Sequence, residues 1–432
     1  MSYFGELLPS RSDYATLKNG WRHDLLSGVT VGIVALPLAL AFGITTGAGA
    51  QAGLITAIYA GFIAAIFGGS NFQVSGPTGA MTVVLVPIVS HFGIASLMPL
   101  GLVAGALVII MGLTHCGALI NKVPWPVMEG FTLGIAIVIA LQQIPSAFAA
   151  RNIPGSNTIE TAWRTLKSAV QLGTHWMALF IVAFTLVIKF SYSHLAKRMH
   201  FKVHIPASFV AILLSTLVVE IFHLKVPSIG KLPRTLYIHH SLGESRIGIT
   251  SLAIGAIEIA LLASIESLLS ARVADQMSHI HDVAHAYKPN RELVGQGLGT
   301  ILSSMVGGMP ATGAIARTGV NIRAGGKSRL SAIFHAIFLL IVVLLLSPII
   351  SKIPMSALGA VLIGTSYRIA SPGNLRELLR TTKASAITLL ATALLVVLIG
   401  LIWAIAAGVC IYYILHRRQI RQAKLKPTTT EL

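Results

Sequence analysis

Long apolar runs separated by short polar connections cover almost the whole chain. A helix that crosses a membrane needs about 20 apolar residues, and a broken helix enclosed by its neighbours needs fewer. By this rule the pattern predicts fourteen segments, seven on either side of a polar connection at residues 224–246. The predicted segments are Asp24–Thr46, Ala50–Phe67, Pro77–His91, Leu97–His115, Val127–Ile144, Trp176–His194, Ile205–Phe222, Ile247–Ala271, Leu293–Val306, a short run from Thr312, Leu330–Ile350, Ser356–Ile369, Ala384–Ile399 and Leu401–His416.

The two groups of seven segments define the predicted domain organisation. Because each group contains an odd number of segments, the second repeat must be inverted in the membrane relative to the first. The predicted parts are a cytoplasmic lead-in at 1–22, a first repeat at 23–223, a connection at 224–246, a second repeat at 247–416 and a cytoplasmic tail at 417–432.

Two matching interruptions of the apolar pattern are the strongest functional signal in the sequence. One is Val74–Met81 and the other is Met309–Ile315, and each follows a Gly-Gly pair and carries Pro and Gly. Broken helices at matching places in two repeats are typical of a transporter's substrate site. The N-terminus of a half-helix at mid-membrane offers free N–H groups and a partial positive charge, which attract an anion. The alternative for each break taken alone is a kink that only packs against a neighbouring helix.

Composition and charge narrow the class of protein. Hydrophobic residues make up 54% of the chain and charged residues only 11%, which is more apolar surface than a soluble domain needs. A net charge of +18 could indicate nucleic-acid binding, but the charges lie between apolar runs rather than on one arm or face. If both termini are cytoplasmic, Lys and Arg are concentrated in the inward-facing loops, which is the usual bias. We therefore predict a multi-pass membrane protein with cytoplasmic termini and no nucleic-acid partner.

Six ordered motifs, spread over nearly the whole chain, resemble the SulP family of anion transporters, which is related to the mammalian SLC26 proteins. The motifs are Gly28–Gly43, Ser75–Val84, Pro126–Gly134, Ala263–Gln276, Asn290–Gly299 and Asn321–Gly326. The bacterial bicarbonate and sulfate permease branch is the most similar, which implies the inner membrane of a bacterial cell. The resemblance also implies an all-α, UraA-like fold, with segments 1–4 and 8–11 as a mobile core domain and the other segments as a gate domain.

Family resemblance carries expectations about assembly as well. Members of the family usually form homodimers and usually carry a cytoplasmic STAS domain after the last segment. Only residues 417–432 follow the last predicted segment of this chain. Either this member lacks the STAS domain, or the chain was cut before it.

The half-helix argument and the resemblance together predict the substrate site. We predict that backbone N–H groups and hydroxyls of the two half-helix openings face each other across one anion. Glycine at these openings allows the backbone to approach the anion closely. The residues concerned are Thr78, Gly79 and Ala80 in the first opening and Thr312, Gly313 and Ala314 in the second.

Three further positions are carried over from the family. Arg317, one turn into the second half-helix, matches a position that adds positive charge to the anion pocket; the alternative is an arginine that extends towards the cytoplasmic side. Phe42 matches an aromatic residue that lines the site in relatives, with plain packing as its alternative. Leu38 stands where many relatives carry Gln, which makes this pocket less polar.

A carboxylate in an apolar run is the candidate for coupling. Glu266 lies within Ile257–Leu269, and an intramembrane carboxylate costs about 3 kcal/mol or more, so it is a functional hypothesis by default. Ser270 follows one helical turn later and shares its face. In the family this position binds the coupling cation or proton, and sodium-coupled members have Asp there and a hydroxyl after the Gly-Ala step, where this chain has Ile315. Sodium needs several oxygen ligands, so we predict proton coupling, with sodium coupling or a structural Glu266 as alternatives.

These observations predict a secondary active transporter of small anions, with bicarbonate, sulfate and C4 dicarboxylates as candidates in that order. The alternatives are a sodium-coupled bicarbonate symporter, an uncoupled anion exchanger or channel on the same fold, a nucleobase symporter, and a membrane scaffold without transport. No P-loop, metal-hydrolase signature or nucleophile elbow is present, so no enzyme activity, metal site or cofactor is predicted.

Overall fold

The computed structural model describes fourteen stretches of the chain. They are residues 7, 9, 17–117, 123–153, 155, 157–173, 175–198, 205–232, 235–238, 245–278, 286–370, 373, 375–376 and 382–425. Most of the predicted lead-in, part of the connection at 224–246 and the last seven residues of the predicted tail lie outside them.

Helices dominate the described part of the chain, together with two very short strands. A 3₁₀ turn at Ile94–Ser96 joins two of the helices. The helices are α1 Leu17–Thr45, α2 Ala50–Phe67, α3 Gly79–Phe92, α4 Leu97–Leu113, α5 Trp125–Gln142, α6 Ile144–Ala147, α7 Thr158–Gln171, α8 Trp176–Arg198, α9 Ala207–Ile221, α10 Ile249–Met277, α11 Pro289–Met305, α12 Ile315–Arg323, α13 Leu330–Ile350, α14 Met355–Ile369, α15 Lys383–Ile399 and α16 Leu401–Leu425. The strands are β1 Ser75–Gly76 and β2 Thr312–Gly313.

Each of the fourteen predicted segments corresponds to one of these helices. Two agree with the sequence prediction at both ends, Ala50–Phe67 and Leu330–Ile350. The first and last helices are longer than predicted: α1 begins at Leu17, inside the predicted lead-in, and α16 continues to Leu425, inside the predicted tail. The second half-helix is shorter than predicted, because it begins at Ile315 rather than at Thr312.

Six described helical stretches are long and apolar enough to cross a membrane. They are Gly20–Thr45, Ala50–Phe67, Ile94–Leu113, Trp125–Ala147, Ile249–Met277 and Leu330–Ile350. Five shorter apolar helices accompany them. These helices agree with the predicted all-α, multi-pass membrane fold, whereas the number of crossings stays a prediction.

The chain divides into two compact units. The first contains Met1–Ile120 and Ile139–Gly364, and the second contains Asn121–Val138 and Thr365–Leu432. This division differs from the predicted core and gate, because the sixth and seventh predicted segments and most of the twelfth fall in the first unit. The functional division into core and gate stays a prediction.

Glycines let helices of the first unit touch backbone to backbone. The helix α11 packs against α2 and α4. A Cβ atom at Gly295 would lie 2.4 Å from the backbone nitrogen of Gly68, and one at Gly105 would lie 2.7 Å from the carbonyl oxygen of Gly297. Since real side chains do not approach so closely, α11 can occupy this place only with glycine at these contacts.

Glycines also allow two helices of the second unit to pack closely. A Cβ atom at Gly130, on the first part of α5, would lie 2.4 Å from the carbonyl oxygen of Leu389 on α15. At Gly134, one turn later, it would lie 2.5 Å from Cβ of Val396. Close glycine contacts therefore fix α5 against α15 within this unit.

Candidate functional site

Two short strands bring the interrupted segments together at the centre of the first unit. The strands β1 and β2 pair antiparallel, with Ser75 opposite Gly313 and Gly76 opposite Thr312. The pairing is extended by a hydrogen bond from the backbone N–H of Ala314 to the carbonyl oxygen of Val74. The two interruptions, about 240 residues apart in sequence, thus meet in space as predicted.

The first half-helix, α3, begins beside this pairing. Thr78 is its N-cap residue, with an extended backbone, and its hydroxyl accepts a hydrogen bond from the backbone N–H of Met81. Gly79 follows, and the side chains of Ile139 and Phe42 lie directly against it. A Cβ atom at Gly79 would lie 2.0 Å from Cδ1 of Ile139 and 3.4 Å from Cε1 of Phe42. Phe42 is 5% exposed and packs beside Gly79, so its role in lining the site stays a prediction.

The second half-helix does not open where the sequence predicted. Thr312 and Gly313 lie in β2, and α12 begins at Ile315 with Ala314 in the N-cap position. The prediction that these two residues open the helix is wrong, because their backbone pairs with β1 before the helix starts. An alanine offers no side-chain cap, so the first N–H groups of α12 have no partner inside the helix.

Glu266 on α10 joins this arrangement directly. The Thr78 hydroxyl donates a hydrogen bond to Oε2 of Glu266 over 2.9 Å. The next residue, Ser267, contacts the other strand: its hydroxyl lies 2.9 Å from that of Thr312 and accepts from the backbone N–H of Gly313. One turn of α10 therefore binds both half-helix openings, and Glu266 keeps part of its surface exposed.

Arg317 is buried inside the site and does not extend towards the aqueous side. Its side chain is 1% exposed, and its Nη2 donates to the carbonyl oxygen of Pro77 over 2.5 Å. Its Nη1 has no hydrogen-bond partner within the described part of the chain. A Cβ atom at Gly76 would lie 2.2 Å from that Nη1, and the φ of +156° at Gly76 also favours glycine.

The side chains of Ser270 on α10 and Thr318 on α12 are in contact. Their hydroxyls lie 3.1 Å apart, and that of Thr318 also accepts from the backbone N–H of Val74. Ile315 occupies the position at which sodium-coupled members carry a hydroxyl, and Thr318 supplies a hydroxyl from the first turn of α12 instead. Ser270 shares the α10 face with Glu266 as predicted, but its hydrogen bond goes to Thr318.

Sequence reasoning missed several residues of the site. Ser267 follows Glu266 directly, and its spacing from Ser270 was the available signal. His335 is the one ionisable residue in the apolar run of α13; it is fully buried, and both ring nitrogens are unpartnered among the residues described. An intramembrane ionisable residue of this kind is a functional candidate by default.

A cavity of about 620 Å³ lies along α3 beyond Thr78. Its lining includes Thr45, His91, Gln142 and Arg151. Gln142 connects it to the half-helix, because its Oε1 accepts a hydrogen bond over 3.1 Å from the hydroxyl of Thr82, one turn after Thr78. The cavity therefore ends at a polar contact next to the candidate site.

The arrangement of side chains can be compared with what a metal site needs and with what an anion site needs. Among the residues described, no group of three or more His, Cys, Asp or Glu side chains could hold a metal ion. The described groups that do converge are two positive helix ends, a buried guanidinium with one donor unpartnered among these residues, hydroxyls and one carboxylate. Donors of this kind bind an anion, and the carboxylate can bind a cation or a proton.

Comparison with known proteins agrees with this chemistry. The model of the Sulfate permease family matches residues 21–392. YvdB of Bacillus subtilis (strain 168), named as a sulfate transporter, is 33% identical over 93% of this chain and 75% of its own length. The bicarbonate transporter BicA of Picosynechococcus sp. (strain ATCC 27264 / PCC 7002 / PR-6) is 33% identical over 91% of this chain and 70% of its own.

Solved structures show the same fold. The transmembrane domain of a cyanobacterial bicarbonate transporter BicA superposes with a TM-score of 0.78 at 29% identity, covering 91% of this chain and 98% of that domain. Murine Slc26a9, an anion transporter in the inward-facing state, gives a TM-score of 0.82 at 16% identity, covering 97% of this chain and 72% of its own.

Proposed function

The chain belongs to the sulfate permease family of membrane anion transporters, and from this membership and the geometry of its site we propose that it is a secondary active transporter of a small inorganic or carboxylate anion. Bicarbonate, sulfate and a C4 dicarboxylate are the candidate substrates, in that order. The relatives named above support the first two, because one is named for bicarbonate and the other for sulfate. The proposed setting is the inner membrane of a bacterial cell, with both termini cytoplasmic and the protein a homodimer.

The observation that carries the proposal is the buried Arg317. A guanidinium that is 1% exposed and whose Nη1 has no partner among the described residues is costly in a membrane interior unless an anion accompanies it. The starts of α3 and α12 lie next to it and add partial positive charge. We propose that the anion binds between these helix ends and accepts a hydrogen bond from Arg317.

Coupling in this proposal belongs to Glu266. Its carboxylate already accepts from Thr78, and Arg317 lies close enough for the two charges to interact. The positive charge of Arg317 opposes a sodium ion and a proton alike, but a proton needs no further oxygen ligands, which supports it as the coupled species. The oxygens of Thr78, Thr312 and Ser267 are ligands that sodium accepts, so sodium coupling remains the alternative that the experiment distinguishes.

Transport itself requires the site to open to each side in turn. We propose that the core domain moves against the gate domain, as in other transporters built from inverted repeats. The cavity next to Gln142 would then be one of the two access routes, and breaking the contact between Thr82 and Gln142 would join it to the site.

The test is uptake of labelled bicarbonate, sulfate and fumarate into proteoliposomes, each under a pH gradient and under a sodium gradient. We expect one of the three anions to accumulate with the pH gradient. Arg317→Gln should reduce uptake at least about tenfold, because it removes a charged hydrogen bond to the anion. Arg164→Gln, at an exposed arginine paired with Glu160 on α7, is the matched control and should transport normally.

Three outcomes would contradict parts of the proposal. Absence of uptake of all three anions would overturn the assignment of substrate class. Uptake that runs down the anion's own gradient and ignores both imposed gradients would support the uncoupled exchanger or channel. Equal uptake by Arg317→Gln and Arg164→Gln would show that the anion does not bind at Arg317.

A further inference from the structure

One face of α11 carries a row of buried polar side chains that the proposed transport mechanism does not use. Glu292, Gln296, Thr300 and Ser303 follow each other at spacings of four, four and three residues, which places them on the same side of a helix. All four are 0–1% exposed. A row of polar groups inside a membrane protein is costly unless each group has a partner.

The first two residues of the row bind the loop that leads into β1. The carboxylate of Glu292 accepts hydrogen bonds from the backbone N–H groups of Gly69 and Ser70, over 2.8 and 2.9 Å. It also accepts from Nε2 of Gln73 over 2.6 Å. Nε2 of Gln296 donates to the same carboxylate and to the hydroxyl of Ser75, the first residue of β1.

The other two residues bind the loop that leads into β2. The hydroxyl of Thr300 lies 3.3 Å from the carbonyl oxygen of Ala311 and 3.4 Å from its backbone nitrogen. The hydroxyl of Ser303 donates to the carbonyl oxygen of Met309 over 3.0 Å. The loop that leads into β1 and the loop that leads into β2 are about 240 residues apart in sequence. Successive turns of one helix therefore hold both loops.

We propose that this polar face of α11 sets the spacing of the two half-helix openings, with Gln296 as the positioning residue for the first opening. The inference rests on the proposed anion site. The strands β1 and β2 have only two residues each, so their own pairing is too short to hold the openings. A shift of one loop along α11 would move Thr78 relative to Thr312 and would change the distances from both helix ends to the anion.

Four variants and one control test this inference. Gln296→Met keeps the length of the side chain and removes its hydrogen bonds, and Gln296→Asn keeps the amide but shortens its reach. Ser75→Ala removes the partner, and Thr300→Val removes the hydroxyl from the second loop. Ser304→Ala is the control, because that buried hydroxyl lies on the same helix and has no partner within the described residues.

Hydrogen exchange measured by mass spectrometry on the full-length protein gives the first readout. Gln296→Met should increase amide exchange in peptides covering 69–78, and Thr300→Val should increase it in peptides covering 308–314. Ser304→Ala should change neither. Unchanged exchange in both segments, or an equal increase along all helices, would overturn the inference, because the second result indicates only general destabilisation.

Uptake kinetics give the second readout. Loss of the contact between Gln296 and Ser75 should raise KM about three- to tenfold and leave the maximal rate per folded protein within about twofold. The double variant with Ser75→Ala should be no worse than Gln296→Met alone, since both remove the same contact. A normal KM with less folded protein would show a purely structural role and would overturn the inference. If the wild-type protein takes up none of the three anions, the proposed function fails, whereas the exchange pattern still decides whether α11 holds the loops.

Discussion

Arg317 and Glu266 differ in their burial and in their hydrogen-bond partners, and these differences suit them to different roles at the site. Arg317 is buried and its Nη1 has no partner in the described part of the chain, whereas Glu266 is partly exposed and accepts a hydrogen bond from the Thr78 hydroxyl. A guanidinium stays charged under all conditions, whereas a carboxyl group can gain or lose a proton. The fixed charge therefore suits anion binding, and the variable charge suits coupling.

Glu266→Gln tests that division. The amide keeps the size and the hydrogen-bonding capacity of the side chain but cannot change its charge. We expect uptake to lose its dependence on the pH gradient, while exchange of labelled for unlabelled anion continues. Glu258→Gln, two turns earlier on α10, is the matched control and should keep the wild-type response.

Three outcomes of this experiment would contradict the proposal. Retention of pH-driven accumulation by Glu266→Gln would remove the carboxylate from coupling. Loss of accumulation in Glu258→Gln alone would move the coupling site about two turns towards the N-terminus of α10. Accumulation driven by sodium at constant pH, and lost only in Glu266→Gln, would establish the sodium alternative.

At the scale of elements, the half-helix openings depend on what lies against them. Gly79 begins α3 with Ile139 directly over it, at 2.0 Å from the place of a Cβ atom. Alanine favours helix formation over glycine by about 1 kcal/mol, so a substitution there would stabilise α3 if space were available. Because Ile139 occupies that space, we expect an alanine at this position to disturb the start of α3 instead of stabilising it.

Gly79→Ala should therefore reduce uptake, because Ile139 must move or the helix opening must shift. The double variant with Ile139→Ala should recover most of the activity, since it supplies the missing space. Gly248→Ala, at a helix start with nothing near its Cβ position, is the control and should transport normally. Normal uptake by the single variant, or no recovery by the double variant, would show that the close contact is not what constrains the opening.

Elements with long, continuous apolar patterns could be predicted from the sequence, and elements without them could not. The bounds of α2 and α13 agree with prediction because polar or glycine residues end each apolar run sharply. A two-residue strand has no periodicity, so the sequence pattern predicts a first helical turn where the structure has β2.

The site could be predicted only in part, for the same physical reason. Glu266 and the two breaks are visible as local exceptions in an apolar pattern. By contrast, Gln296 and Ser75 are 221 residues apart, and no local pattern indicates that they meet. Thr318 was missed because its partners belong to other elements, whereas His335 interrupts the apolar run of α13 just as Glu266 interrupts that of α10 and could have been predicted.

At the scale of the whole molecule, buried charged groups connect parts of the first unit that are far apart in sequence. Nη1 of Arg329 donates to the carbonyl oxygens of Ile66 and Gly68, at the end of α2. Its Nη2 donates to Oδ1 of Asn71 over 2.9 Å. The second repeat thereby satisfies carbonyl groups that the end of a first-repeat helix leaves free.

Asp24 makes the complementary connection from the first repeat. It is 1% exposed, and its carboxylate accepts from the backbone N–H groups of Lys327 and Ser328 over 2.6 and 3.0 Å and from the Ser328 hydroxyl over 2.6 Å. Removing the acceptor leaves three donors without their partner, which we expect to cost about 2–3 kcal/mol of folding stability.

Asp24→Ala should therefore lower the temperature at which the detergent-solubilised protein loses its monodisperse peak in size-exclusion chromatography. Asp24→Asn should have a smaller effect, because its amide oxygen still accepts one or two of these hydrogen bonds while its NH₂ group faces a donor. Both variants should keep the wild-type KM, since Asp24 binds the loop after α12 rather than the opening before it. A change in KM without loss of thermal stability would show that the two ends of α12 are mechanically linked, and would contradict separate roles for the two ends of this helix.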